Sequence, residues 1–162
     1  MTVTLLLGGA RSGKSALAER VAGPGPVTYL ATGSAADMPE RVAAHRARRP
    51  STWTTVEADD LVAAVAGAAG AVGGTVLVDS LTAWVARAPG FEVDVDGLCA
   101  ALAARAGETV IVSDEVGLGV HPSTEAGRQF RDALGVVNQA VAAVADEVLL
   151  VVAGRALQLD RR

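Results

Sequence analysis

The chain alternates short, unbroken apolar runs with longer segments in which apolar residues recur at helical spacing. We predict strands at Val3–Leu7, Val27–Ala31, Trp53–Val56, Thr75–Val78, Thr109–Val112 and Glu147–Val152. We predict helices from near Gly13 to Val21, at Asp37–Arg48, from Asp59 to about Ala69, and at Val95–Ala106 and Glu125–Ala143. Strands that alternate with helices are typical of βαβ units, and unbroken apolar strands are buried on both faces. The pattern therefore predicts an α/β fold with three layers, in which helices flank a mostly parallel central sheet.

Length and composition narrow the classes of protein that this chain can belong to. With 162 residues, of which 51% are hydrophobic, we expect one domain over residues 1–162. No apolar stretch reaches the roughly 20 uninterrupted residues of a membrane span, and the chain runs into its first strand without a signal-peptide pattern. The lone Cys99 excludes an internal disulfide and favours a cytoplasmic location. A net charge of −4 argues against a general nucleic-acid binder.

A complete G-x-x-x-x-G-K-[ST] motif follows the first predicted strand and opens the first predicted helix. Its residues are Gly8, Gly9, Ala10, Arg11, Ser12, Gly13, Lys14 and Ser15. Glycines let successive backbone N–H groups point at phosphate oxygens, and the helix start adds its positive end. Lys14 is the chain's one lysine, and a compact ammonium on a flexible stem can reach the β and γ phosphates. The motif predicts a nucleoside triphosphate site in a P-loop NTPase-like fold.

Polar residues follow the ends of several other predicted strands, where ligands of parallel sheets bind. The first of these polar groups is Thr32, Gly33 and Ser34, after the second strand. Asp79 ends the run Thr75–Val78, and there it could hold Mg²⁺ together with Ser15 or simply cap the next helix. We favour the metal role.

Two further carboxylate positions have more than one interpretation. Asp114 and Glu115 follow the fifth strand, where they could accept a proton from a hydroxyl group or merely cap a turn. Glu57, at the end of the third strand, is similarly ambiguous. The residue pattern alone does not decide between these roles.

His45 lies among arginines on the predicted helix Asp37–Arg48. Arg41, Arg48 and Arg49 share its helix face, and Arg46 is adjacent. These guanidinium groups would bind phosphates and disfavour a proton on the imidazole, which could then attack phosphorus and form a covalent intermediate. The alternative is a solvated basic helix face that happens to contain a histidine, and the residues support the two interpretations equally.

The sequence resembles the bifunctional adenosylcobinamide kinase/guanylyltransferase family of cobalamin biosynthesis. The resemblance runs from Leu5 to about Leu159. Besides the P-loop and His45, it is carried by the segments Tyr29–Thr32, Arg49-Pro50 with Trp53, Asp114–Val120, Phe130–Asp132, Asn138-Gln139 and Ala145–Val148.

The resemblance implies an activity and a residue set. A member of this family phosphorylates adenosylcobinamide with ATP or GTP and then transfers GMP from GTP to that phosphate, and it assembles as a homotrimer. The resemblance implies that His45 carries the GMP. It also implies that the P-loop binds the nucleotide with Thr32, Gly33, Ser34, Arg46, Ala47, Arg48, Arg49, Glu57 and Asp79. The P-loop and Asp79 themselves predict Mg²⁺ as the metal.

Two other functions fit parts of the pattern. A small-molecule kinase would use the P-loop without a covalent step, and His45 would then have no chemical role. A GTP-dependent switch protein is indicated by the D-x-x-G pattern of Asp114–Gly117, but such proteins read guanine with a second lysine-containing segment. Since Lys14 is the chain's one lysine, that segment is absent.

Overall fold

The computed structural model describes residues 2–33, 50–68 and 74–161. Its strands form one seven-stranded sheet in the order β3-β2-β4-β5-β1-β6-β7. The strands are β1 (Val3–Gly8), β2 (Val27–Ala31), β3 (Trp53–Glu57), β4 (Thr75–Asp79), β5 (Thr109–Asp114), β6 (Glu147–Val152) and β7 (Arg155–Gln158). All strand pairs are parallel except β6 with β7, so the sheet is mostly parallel as predicted.

The described helices are α1 (Lys14–Ala22), α2 (Leu61–Gly67), α3 (Leu81–Arg87), α4 (Val95–Ala104) and α5 (Glu125–Val144). Side-chain oxygens of the preceding residues cap four of them and fix where they begin: Asp60, Ser80, Asp94 and Thr124. The predicted helix Asp37–Arg48 lies outside the described residues. Helix α4 ends two residues before the predicted Ala106, because Arg105 adopts an extended conformation at its end.

The two faces of the sheet carry separate cores. On one face Leu6, Leu77 and Val110 pack with Ala18 of α1 and with Val151. On the other face the alternate strand residues pack with α2, α3, α4 and α5. Since successive side chains of a strand point to opposite faces, this division is the expected result of strands buried on both sides. Among the described residues, no helix is both long and apolar enough to cross a membrane.

The strand order brings particular strand ends together. Gly8 pairs with Asp114 across β1 and β5, and Asp79 pairs with Val112 across β4 and β5. Ala31 of β2 pairs with both Asp79 and Glu57. All these residues lie at the carboxyl ends of parallel strands, so the predicted polar clusters meet at one edge of the sheet.

Candidate functional site

The P-loop packs closely against the turn between β6 and β7 and is hydrogen-bonded to it. The N–H of Gly154 donates to the carbonyl of Ser12 at 2.8 Å. A Cβ on Gly13, which has a φ of 96°, would lie 3.2 Å from the Cα of Gly154. A Cβ on Gly8 would lie 2.5 Å from the carbonyl oxygen of Val151. Glycine is therefore required at both motif positions, by close backbone approach and at Gly13 also by the left-handed conformation.

Lys14 is buried beneath this loop, and its ammonium group contacts two oxygen atoms. Its side chain is 8% exposed, and Nζ lies 2.5 Å from Oδ1 of Asp114. Nζ also donates to the carbonyl of Gly9 at 3.0 Å. A charge-assisted hydrogen bond of this kind positions the ammonium directly under the loop that the motif predicts to cradle phosphates. The structure thus brings together the P-loop lysine and one of the two candidate proton acceptors.

The main chain of Asp114 is fixed by several neighbours. Its N–H donates to Oγ1 of Thr82 at 2.8 Å, and its carbonyl accepts from Nδ2 of Asn138 at 3.1 Å. Asn138 in turn accepts from the buried hydroxyl of Ser113 at 2.7 Å. Because helices α3 and α5 both contact the end of β5, the carboxylate is presented to Lys14 from a rigid backbone.

Glu115 has a different local role from Asp114. Its Oε1 accepts from the N–H of Gly117 at 2.8 Å, and its own N–H donates to the carbonyl of Gly8 at 3.0 Å. Of this pair, one carboxylate therefore pairs with the lysine and the other caps a turn.

Asp79 lies at the end of β4, which β5 separates from the P-loop strand. Its Oδ2 accepts a 2.5 Å hydrogen bond from the hydroxyl of the buried Tyr29. The neighbouring Ser80 exchanges two hydrogen bonds with the hydroxyl of Thr32, which donates to the carbonyl at 2.6 Å and accepts from the N–H at 2.8 Å. These contacts tie the ends of β2 and β4 together and orient the Asp79 carboxylate.

Arg87 is a residue of this edge that the sequence analysis did not identify. Its Nη1 donates to the carbonyl of Thr32 at 2.8 Å, and Nη2 pairs with Asp59 at 3.0 Å. The role of Asn138 is a second feature that local sequence patterns do not predict, although a polar residue between Leu134 and Val141 on a buried helix face is a signal of a specific partner.

The remaining predicted site residues divide into those outside the described residues and those that the structure places. Ser34, His45, Arg46, Ala47, Arg48 and Arg49 lie outside the described residues, as does Arg41. Of the remaining ones, Gly33 follows Thr32, and Glu57 is exposed at the end of β3, the edge strand next to β2. Gly9, Ala10 and Arg11 form the exposed crest of the P-loop.

The oxygen atoms near the P-loop fit a magnesium ion bound largely through a nucleotide. Ser15 is half-buried in the first turn of α1, and the carboxylates of Asp79 and Asp114 end neighbouring strands. Hydroxyl and carboxylate oxygens are hard ligands that suit Mg²⁺. Within the described ranges no group of three or more His, Cys, Asp or Glu side chains could hold a metal. Mg²⁺ that is bound with a nucleotide needs only one or two protein carboxylates, because phosphates and water supply its other ligands.

Comparison with known families and curated proteins gives a consistent result. The family model described as cobinamide kinase / cobinamide phosphate guanyltransferase matches residues 4–159. A bifunctional adenosylcobalamin biosynthesis protein, CobP of Pseudomonas aeruginosa, is 39% identical over 96% of this chain and 95% of its own length. The corresponding protein CobU of Salmonella typhimurium is 37% identical over 93% of this chain and 95% of its own length.

Solved structures with a similar fold are more distant in sequence. The flagellar accessory protein FlaH from Methanocaldococcus jannaschii has a TM-score of 0.54 and 16% identity over 99% of this chain and 79% of its own. The P4 protein from bacteriophage phi6, solved with ADP, has a TM-score of 0.51 and 20% identity over 96% of this chain and 54% of its own. This likeness confirms the predicted fold, in which helices flank a mostly parallel central sheet.

Proposed function

This chain belongs to the cobinamide kinase / cobinamide phosphate guanyltransferase family, and we propose that it catalyses both of the reactions in that name. In the first, adenosylcobinamide receives a phosphoryl group from ATP or GTP. In the second, the resulting phosphate receives GMP from GTP, which gives adenosylcobinamide-GDP and pyrophosphate. The observation that carries the proposal is the buried Lys14 under the P-loop, 2.5 Å from Asp114, in a chain that matches the family over residues 4–159.

The kinase step would take place at the carboxyl ends of β1 and β5. The backbone N–H groups of the P-loop and the ammonium of Lys14 bind the phosphates of the donor. The substrate hydroxyl attacks the γ-phosphorus, the bond from that phosphorus to the bridging oxygen breaks, and the nucleoside diphosphate leaves. We assign the hydroxyl proton to Asp114 rather than Glu115, because Oδ1 of Asp114 already lies beside the phosphate-binding lysine.

The guanylyl step would use His45 as a covalent carrier. A neutral ring nitrogen attacks the α-phosphorus of GTP, so that an N–P bond forms and pyrophosphate leaves. A phosphate oxygen of the cobinamide phosphate then attacks the same phosphorus, and the N–P bond breaks to return the free imidazole. Arg46, Arg48 and Arg49 would stabilise the phosphate charge during both displacements.

Ser15 and Asp79 would hold Mg²⁺ at the kinase site. When bound, the ion neutralises phosphate charge and helps to align the donor. The hydrogen bond from Tyr29 to Asp79 supports this assignment, because it fixes the orientation of a carboxylate at the right edge of the sheet. We further expect a homotrimer, which light scattering of the purified protein would test.

A two-stage assay separates the two activities. The purified protein and its His45→Ala variant are incubated with cobinamide and ATP, then with GTP, and the corrinoid products are separated by chromatography. We expect wild type to make cobinamide phosphate and GDP-cobinamide, and the variant to stop at cobinamide phosphate. Incubation of wild type with α-labelled GTP should leave an acid-labile, base-stable label on the protein.

The outcomes distinguish the proposal from its alternatives. A wild-type protein that phosphorylates cobinamide but takes up no label would be a kinase without the covalent step. Loss of both reactions in a well-folded His45→Ala variant would give the histidine a different role. If wild type acts on no corrinoid at all, the proposed function is wrong.

A further inference from the structure

A cleft of about 370 Å³ opens at the same edge of the sheet, on the side away from the P-loop strand. It lies between the end of β2, the start of α2, helix α3 and the segment that leads into α4. Thr32 belongs to its lining and is also one of the predicted nucleotide-site residues. The cleft therefore shares Thr32 with the candidate active site, and its described lining contains no residue of the phosphate-binding loop.

The lining of the cleft combines apolar walls with a few polar groups. Its apolar side chains are Ala58, Val62, Trp84, Ala88, Pro89 and Val93. Trp84 is half-buried, so it can offer part of its ring to an occupant. Small-molecule sites are typically concave and mostly apolar, with a few polar groups that fix orientation, and their volumes begin near 300 Å³. Size and composition both fit a binding site.

The charge of the lining indicates which kind of ligand it accepts. Among the lining residues that the structure describes, four are acidic, Asp59, Asp60, Glu92 and Asp94, and one, Arg87, carries a guanidinium. Arg87 already donates to the carbonyl of Thr32 and pairs with Asp59. This excess of carboxylates repels a phosphate and favours a neutral or cationic ligand that brings N–H donors.

The distance from the P-loop limits the shape of the ligand. Strand β2 is separated from β1 by β4 and β5, which places the two strands roughly 14 Å apart at about 4.8 Å per spacing. A molecule seated in the cleft can react at the P-loop only if it is large enough to bridge that span. A corrinoid has this extent, and its primary amide arms are neutral N–H donors.

We propose that this cleft binds amide arms of the corrinoid acceptor, with Trp84 as the apolar contact and the acidic lining residues as hydrogen-bond acceptors. The inference rests on the proposed function, since that function supplies the corrinoid. Binding at a distance from the reacting hydroxyl would orient it toward the γ-phosphate and contribute affinity without taking part in bond making.

The test measures cobinamide and GTP affinity separately, by equilibrium dialysis and by calorimetry. We expect Trp84→Ala to weaken cobinamide binding about tenfold, which is the loss of one aromatic contact. Glu92→Lys changes an exposed side chain and spares the core, and we expect it to weaken cobinamide binding about threefold. GTP affinity should be unchanged in both variants.

Asp160→Lys is the matched control, because it makes the same change of charge beyond β7, at the opposite edge of the sheet. It should leave both affinities unchanged. The assignment is overturned if both cleft variants bind cobinamide like wild type, or if they lose GTP affinity instead, which would place the guanine base in the cleft. If wild type phosphorylates cobinamide and the cleft variants have the same KM for cobinamide as wild type, only this inference is refuted. If wild type neither binds nor phosphorylates cobinamide, the proposed function is refuted as well.

Discussion

Two buried cations lie at opposite ends of strand β5 and have different partners. Lys14 is 7% exposed and contacts Asp114, the last residue of β5. Arg105 is 1% exposed, and its Nε donates to the hydroxyl of Thr109, the first residue of β5, at 2.9 Å. One cation is at the edge of the sheet that carries the candidate functional site, and the other is at the amino-terminal edge.

The difference between them lies in whether the partners can be exchanged. Besides Thr109, Arg105 donates to three carbonyl oxygens, those of Ala68, Gly74 and Glu108. These oxygens are fixed parts of the main chain, so the guanidinium cross-links the segments that precede β4 and β5. Burial lowers the pKa of Arg105 from its ordinary value, yet the fork of donors remains satisfied. Lys14 instead contacts a carboxylate and a carbonyl. Under the proposed function, phosphate oxygens of the nucleotide replace the carboxylate.

The largest expected effect comes from removing Lys14, the cation whose partner can be exchanged. Lys14→Ala should lower kcat/KM for cobinamide phosphorylation by about a thousandfold, because the developing phosphate charge loses its buried ammonium. Stability should change little, since the side chain of Asp114 is 29% exposed and water can solvate it. Steady-state kinetics and urea unfolding measure the two quantities on the same preparation.

Lys14→Arg controls for charge. We expect it to recover little of the activity, because a planar guanidinium does not fit beneath a loop whose backbone approaches so closely. Wild-type kinetics in the Lys14→Arg variant would mean that Lys14 acts only through its charge.

Removal of Arg105, the cation with fixed partners, should have the opposite result: stability falls and activity is kept. Arg105→Met should lower the free energy of unfolding by about 3 kcal/mol, because four oxygen atoms lose their donor in a buried site. The activity of each folded molecule should be unchanged. Thermal denaturation followed by circular dichroism, with the exposed Arg20→Met as control, measures the effect. A variant as stable as wild type would show that the cross-link contributes nothing net.

The surroundings of Lys14 also show which features of the site could be predicted from sequence and which could not. The P-loop, Asp79 and the strands of the parallel sheet follow from local patterns, and the structure confirms the strands to within a residue or two. The pairing of Lys14 with Asp114 could not be predicted, because it depends on β5 lying next to β1 and strand order is not a local property. The role of His45 stays a prediction.

Two further features were missed for physical reasons. Strand β7 is short and fully exposed, so its residues carry no alternation of buried and exposed positions. It is specified instead by the turn at Ala153 and Gly154, which both have positive φ. The apolar spacing predicts Arg105 inside a longer helix, because arginine is rarely buried and nothing in the sequence reveals four carbonyl and hydroxyl partners from separate segments.

Replacing the carboxylate on the functional side tests whether the partner of Lys14 is exchangeable. Asp114→Asn should bind ATP without magnesium about threefold more tightly, because no carboxylate competes with phosphate for the ammonium. Phosphoryl transfer should nevertheless fall about a hundredfold, since the proton acceptor is lost. Calorimetric titration and steady-state kinetics check the two parts.

Glu115→Gln discriminates between the two neighbouring acids. Its Oε1 still accepts from Gly117, so the turn should persist and the kinetic loss should be smaller than in Asp114→Asn. If the glutamine variant has the larger loss, the proton acceptor is Glu115 instead.

The smallest effect concerns pH at the Arg105 end of the comparison. Cys99 lies on α4, the helix whose C-cap residue is Arg105. Burial, and secondarily Asp96, raises the pKa of the Cys99 thiol above its ordinary value. A thiol with a raised folded-state pKa stabilises the fold at pH values below the pKa of the unfolded chain, and this contribution is lost as the pH rises through the folded-state pKa. The titration of Arg105 changes stability in the opposite direction. Its pKa is lowered, so the folded protein releases that proton more readily than the unfolded chain does. We therefore expect a shallow loss of stability above about pH 9, the ordinary range of a thiol, that disappears in Cys99→Ala. Urea unfolding at a series of alkaline pH values measures it, and an unchanged slope in that variant would show that the thiol does not control alkaline stability.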